Sequence, residues 1–269
     1  MLDQFTDFKD NQIYAPVRQS ARKIILQIAK YNQQQMNVFY NQIVNEFVLI
    51  IMKSQEYFWI MRYNALLLIQ CFIQSCDDCE LKLQLFNQIK QVPVQMIDCE
   101  DEIKCVACEL ITLLFQYYAL DSKIIHEVIQ KLMSNLKASE ILNVPLLFMI
   151  KLLTTIYTDL FTITDLSEIK SDDFFLVFDV ATVLPFAFHK IVNVRNEFYA
   201  LIIQFSKLFR EKCKTIAKTS FYQRKESLTQ IIMQALSMEE DKILLKLLFE
   251  CLDELIKLFS NDISNYLLF

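Results

Sequence analysis

The sequence predicts an all-α protein assembled from repeated helix pairs, and three observations carry that prediction. Glycine is absent from all 269 residues. Apolar residues recur three and four positions apart through most of the chain, the spacing of one buried helix stripe. A short pattern also returns at near-regular intervals: an apolar residue, a basic one, a core residue three positions later and Ile seven positions later.

The pattern is written first as Val17-Arg18, Ala21, Ile25 in NQIYAPVRQSARKIILQI. It returns as Met61-Arg62, Ala65, Ile69, then as Ile103-Lys104, Ala107, Ile111, and again as Val194-Arg195, Phe198, Ile202. The basic residues stand 44, 42 and then 91 residues apart, the last gap being close to two periods. A copy without its basic residue is expected near position 148, in LNVPLLFMIKLLTTIY. The intervening stretches VFYNQIVNEFVLIIM, ELKLQLFNQIK, SKIIHEVIQKLM and DFFLVFDVATVLPFAFHKI read as first helices, and RKESLTQIIMQALS with KILLKLLFECLDELIKLF as a further pair. A period of 40–47 residues with two helices is the HEAT/armadillo signature. The expectation is therefore one α-solenoid over residues 1–269, a right-handed superhelix of about six pairs: 1–30 (partial), 35–75, 79–120, 121–160, 172–210 and 223–262.

The repeat positions explain themselves physically. Alanine one turn into a helix permits close packing, and Pro16 fits a helix start, where its missing N–H is not needed. A cation near a helix start is disfavoured by the dipole, so a second contact must compensate. Glu56 and Asp98 lie six residues before Arg62 and Lys104; Gln12 and His189 take that place before Arg18 and Arg195.

Composition removes several chemistries. Without glycine there is no phosphate-cradling loop, no dinucleotide fingerprint and no G-x-S-x-G elbow. A net charge of −5 and a pI near 5.2 favour a basic protein partner over nucleic acid. Mean hydropathy of +0.27 raises the question of membrane spans. Arg62 and Asn64, Lys151 and Asp159, and Asp179 and His189 interrupt or flank the three best apolar runs, so no span is expected. The acidic opening MLDQFTDFKD is unlike a signal or transit peptide, which predicts an intracellular chain.

Eight cysteines include the pairs Cys76/Cys79 and Cys105/Cys108. Tandem C-x-x-C spacing fits structural zinc. Cys105 and Cys108 lie in a continuous amphipathic run, where thiols serve as small core residues, and the core reading is preferred. No metal or other cofactor is expected, and no nucleophile, base and orienting acid stand together.

LDQFTDFKDNQIYAPVRQSARKIIL resembles a segment of the TATA-binding-protein-associated factor 172 family, the helicase-like ATPases that remove TATA-binding protein from DNA. Phe5, Asp7, Phe8, Ala15, Pro16, Val17 and Arg18 carry the likeness. SQEYFWIMRYNALLLIQ is similar to the family's next second helix, with Trp59 three residues before Arg62; IDCEDEIKCVACELITLL is similar to the one after. VLPFAFHKIVNVRNEFYALIIQF resembles its Trp-Pro-Phe…His…Val-Arg repeat, with Leu184 in place of Trp and Pro185, Phe186, His189, Val194 and Arg195 kept. The likeness spans roughly residues 2–209. It implies an internal part of that family's HEAT array without the ATPase motor: a non-enzymatic, nuclear scaffold that grips TATA-binding protein through loops along one edge and meets DNA only indirectly. No membrane and no small-molecule substrate are implied. Partner contact falls to the acidic loop Asp98, Glu100, Asp101 and Glu102; a solvated loop supporting a helix N-terminus is the alternative for the same residues. Pro16, Arg18, Ala21, Arg62, Ala65, Lys104, Ala107, Pro185 and Arg195 are assigned structural repeat positions. The alternatives for the whole chain are a generic HEAT adaptor in nuclear transport or phosphatase assembly, and a multi-pass membrane protein.

Overall fold

A computed structural model of the chain describes residues 33–53, 59–76, 79–117, 122–137, 143–162, 171–213 and 218–263, with isolated positions between 20 and 27. Pro16, Arg18, Ala21 and Glu56 lie outside the described residues. Every regular element among the described residues is helical, with no strand. The chain divides into two compact units, residues 1–117 and 118–269.

In the first unit α1 (Gln33–Met52) is followed by α2 (Trp59–Ser75), α3 (Cys79–Ile89), the short α4 (Val92–Met96) and α5 (Asp101–Tyr117). Pro93 stands in the first turn of α4, where no N–H is required of it. α1 packs along α2 and touches α3 and α4, while α2 packs on α5. Ala65 and Ala107 are the seventh residues of α2 and α5, and both are fully buried, as close helix approach requires. Leu66, Ile69, Phe72, Ile103, Leu110 and Ile111 fill the space around them.

The second unit contains α6 (Ser122–Leu136), α7 (Asn143–Thr162), α8 (Ser171–Val177), α9 (Val180–Val183), a 3-10 helix (Leu184–Phe188), α10 (Val192–Lys212), α11 (Ser220–Gln223), α12 (Lys225–Met238) and α13 (Lys242–Ile263). α7 packs on α10, and α10 on α13. First helices also meet in sequence: α6 touches α8 and α9, and the 3-10 helix touches α12. The apolar helix expected near position 148 is α7. Within it, Thr154, Thr155 and Thr158 donate to carbonyls four residues back, so their hydroxyls stay satisfied on an apolar helix. The stretch Asn143–Phe161 is the one candidate among the described residues long and apolar enough to cross a membrane, and half of it is buried in the protein.

One expected element is broken. DFFLVFDVATVLPFAFHKI forms α8, α9 and a 3-10 helix in place of a single first helix. Asp179 is extended and caps α9, accepting from the Ala181 N–H, and Pro185 opens the 3-10 helix. Both interrupt the i→i−4 ladder that periodicity alone would continue.

The core of this unit is aromatic. Phe205 of α10 stacks on Phe178 at 4.2 Å and meets Tyr157 edge-on at 4.9 Å. Phe221 lies 4.8 Å from Phe205 and 5.9 Å from Phe259 of α13. One connected set of rings therefore joins α7, α10, α11 and α13, in the offset and edge-to-face geometries that aromatic quadrupoles favour.

Candidate interaction surface

Arg62, Lys104 and Arg195 are each the fourth residue of their helix, α2, α5 and α10. At that position the helix dipole opposes a cation, and each has a carboxylate nearby. Arg62 Nη2 donates to Glu100 Oε1 at 2.6 Å. Arg195 grips Glu239 with Nε to Oε2 at 3.0 Å and Nη2 to Oε1 at 3.2 Å, while Nη1 donates to the His189 carbonyl at 2.9 Å. In both cases the acid stands just before the second helix of the following pair. Lys104 Nζ lies 3.6 Å from Asp101, within its own helix.

The linking acids thus differ from those suggested by a six-residue spacing. Arg62 pairs with Glu100, which stands four residues before Lys104. Arg195 has a linking acid although His189 stands six residues before it. That place still contributes, through the His189 main-chain carbonyl. Two further pairs cross from α10 to α13: Lys207 to Glu250 at 3.0 Å, and Arg210 to Glu254. Glu254 is almost fully buried and is also held by Lys257 at 3.1 Å. The three α10–α13 links join residues 44, 43 and 44 positions apart. A constant offset arises when two packed helices run parallel. Sequence reasoning missed Glu239, Glu250 and Glu254; an offset of one period from each basic residue on α10 would have found them.

Glu100 is committed to Arg62, and Asp101 lies against Lys104. Asp98 and Glu102 are exposed. The turn before α13 is also acidic. Asp241 caps the helix by accepting from the Ile243 and Leu244 N–H groups, and Glu240 is exposed.

A cleft of about 230 Å³ opens beside the Arg195–Glu239 pair, lined also by Ala187, Phe188, Tyr199, Ala235 and Met238. Its polar groups already have partners: the Tyr199 hydroxyl donates to the Ala187 carbonyl at 2.8 Å. Burial, with Glu239 adding to it and Arg195 opposing, pushes the Tyr199 phenol up to about 12.

Asp179 ties three segments together. It accepts from Ser220 Oγ at 2.8 Å and from Thr182 Oγ1 at 3.2 Å, and it pairs with Lys137 Nζ at 3.4 Å. Burial raises its pKa, but the hydrogen bonds from Ser220, Ala181, Lys137 and Thr182 outweigh that and leave it below the ordinary carboxylate value.

Cys108 is buried in α5, and Cys105 beside it is half-buried. Burial, with Asp101 and Glu109 adding to it, pushes the Cys105 thiol up to about 11, and burial raises Cys108 further, the behaviour of packed thiols rather than metal-ready thiolates. Among the described residues no three His, Cys, Asp or Glu side chains are grouped to hold a metal ion. His126 stacks near Phe174, and His189 Nδ1 accepts from the Ile191 N–H. Pro185 is exposed in the 3-10 helix. Neither protein-family models, curated proteins nor solved structures match this chain.

Proposed function

We propose that the chain is a non-catalytic protein-binding scaffold, an array of HEAT-like helix pairs wound as a right-handed superhelix. The observation that carries this reading is the register of the ion pairs between α10 and α13, which repeats at 43 or 44 residues. Two parallel helices held by ion pairs at one constant offset fit an array of stacked helix pairs. The absence of glycine and the mutual engagement of the polar groups in the cleft support a non-enzymatic role, with no cofactor and no small-molecule substrate.

The client drawn from the resemblance is TATA-binding protein, held in the nucleus, with DNA met only through that client. This part of the proposal rests on the quoted motifs. Acids of the turn before α5, Asp98, Glu100, Asp101 and Glu102, would meet a basic surface. Glu100 and Asp101 already have basic neighbours within the chain. The test is capture of purified TATA-binding protein by the folded, monodisperse chain, beside an Asp98→Lys/Glu102→Lys variant. Binding that the variant weakens at least tenfold is expected. No binding by the folded chain would discard the client, and undiminished binding by the variant would discard the acidic turn as its site.

A further inference from the structure

The two long second helices at the end of the described chain can be compared position by position. Aligning the start of α10 at Val192 with the start of α13 at Lys242 places Tyr199, Ile202 and Ser206 against Phe249, Leu252 and Ile256. On α10 that stripe is buried, at 0%, 0% and 1% exposure. On α13 Phe249 is 63% exposed, and Leu252 and Ile256 are only half-buried. Leu245, aligned with Arg195, completes the stripe and is also half-buried. Glu250 and Glu254 reach back to α10, and at 3.6 residues per turn the stripe lies roughly 150° around the helix from them. Among the described residues, α13 packs chiefly on α10 and α12.

We propose that this flank is a self-association surface, covered by α13 of a second copy of the chain in antiparallel, two-fold pairing. The stripe Leu245, Phe249, Leu252, Ile256 has spacings of four, three and four, so its spacing reads the same in either direction. Antiparallel pairing sets Leu245 against the other copy's Ile256, and Phe249 against the other copy's Leu252. The charges flanking the stripe match the same operation. Lys246 and Asp253 are both exposed, occupy equivalent flanking positions seven residues apart, and come opposite one another twice across the axis. Within its own helix Asp253 also pairs with Lys257 at 2.6 Å, an exposed contact that leaves an oxygen for a second cation. An interface one helix wide lies below the ~1,200 Å² of stable dimers, so affinity in the micromolar range is expected.

Sedimentation equilibrium of the full chain from about 1 to 200 µM, bracketing that expected range, tests the proposal. A monomer–dimer equilibrium is expected. Phe249→Asp, at an exposed position and with helix content and melting checked, should weaken it at least tenfold. Lys246→Asp should weaken it as well, and Lys246→Asp with Asp253→Lys should restore it. A folded chain that stays monomeric throughout overturns the proposal. So does a dimer indifferent to Phe249→Asp, or one that the double exchange fails to restore.

Discussion

The contact between α2 and α5 and the contact between α10 and α13 follow one rule with different materials. In each, a basic residue four positions into a second helix reaches a glutamate at the start of the next. At α2–α5 that is the single inter-helix ion pair described, Arg62–Glu100. Arg62 is 7% exposed there and Glu100 45%, and Arg62 Nε is buried with no acceptor. At α10–α13 the equivalent pair is bidentate, with Arg195 18% and Glu239 9% exposed, and Lys207 and Arg210 add two more links. The cores differ in the same direction. Aliphatic side chains and buried alanines dominate around α2 and α5, whereas connected rings dominate around α10. A shared register, then, does not require a shared core. It requires only that each second helix offer its partner one buried flank and one cation near its start.

The largest effect that separates the two contacts is expected from Phe205→Ala. Phe205 is fully buried and touches rings from four elements, so the loss is about 3–5 kcal/mol in urea unfolding. A loss below about 1 kcal/mol would mean that the ring cluster does not hold this unit together. Next come the two glutamates. Glu239→Ala leaves Arg195 largely buried without its carboxylate and should cost about 3 kcal/mol, whereas water can reach Arg62 where half-exposed Glu100 is removed, and Glu100→Ala should cost about 1–2 kcal/mol. Equal costs would erase the contrast drawn above.

Tyr157→Phe should be neutral or stabilising by up to about 1 kcal/mol, because the Tyr157 hydroxyl is buried among rings with no partner. A clear destabilisation would reveal a hydrogen bond to that hydroxyl.

The smallest effect concerns pH. Asp179 has a depressed folded-state pKa, so its contribution is present above the unfolded value of about 3.9 and is lost as pH falls through the folded value. Asp179→Asn should lower stability near neutral pH and flatten the loss that the parent shows below about pH 4. The side chain is about a third exposed, so solvent screening keeps the effect small. Parallel acid curves for parent and variant would contradict the role given to Asp179.

Much of this arrangement could be read before any coordinates. The apolar–basic–Ala–Ile pattern located the starts of α2, α5 and α10 to within a few residues, because a buried stripe and a close-packed alanine are local properties. The need for a compensating contact beside Arg62 and Arg195 also followed from the helix dipole. Its identity did not follow, because Glu100 and Glu239 lie 38 and 44 residues away, at a distance set by packing between pairs. The interruption at Phe178–Asp179 was hidden for a different reason. The apolar rhythm continues straight through it, and the cap at Asp179 is completed by Ser220 and Lys137 from other helices. The acidic turn was found as a cluster, but sequence could not show that Glu100 and Asp101 face basic residues of the chain itself.

The parallel packing of α10 and α13 is the central claim, and coupling Lys207 to Glu250 tests it most directly. Nζ and Oε1 stand 3.0 Å apart, within reach of zero-length carbodiimide coupling. Applied to dilute, monomeric protein and followed by peptide mapping, the reaction should yield an isopeptide between residues 207 and 250. Coupling of Lys207 to acids away from Glu250, with no product at that register, would contradict the stacking of α10 on α13.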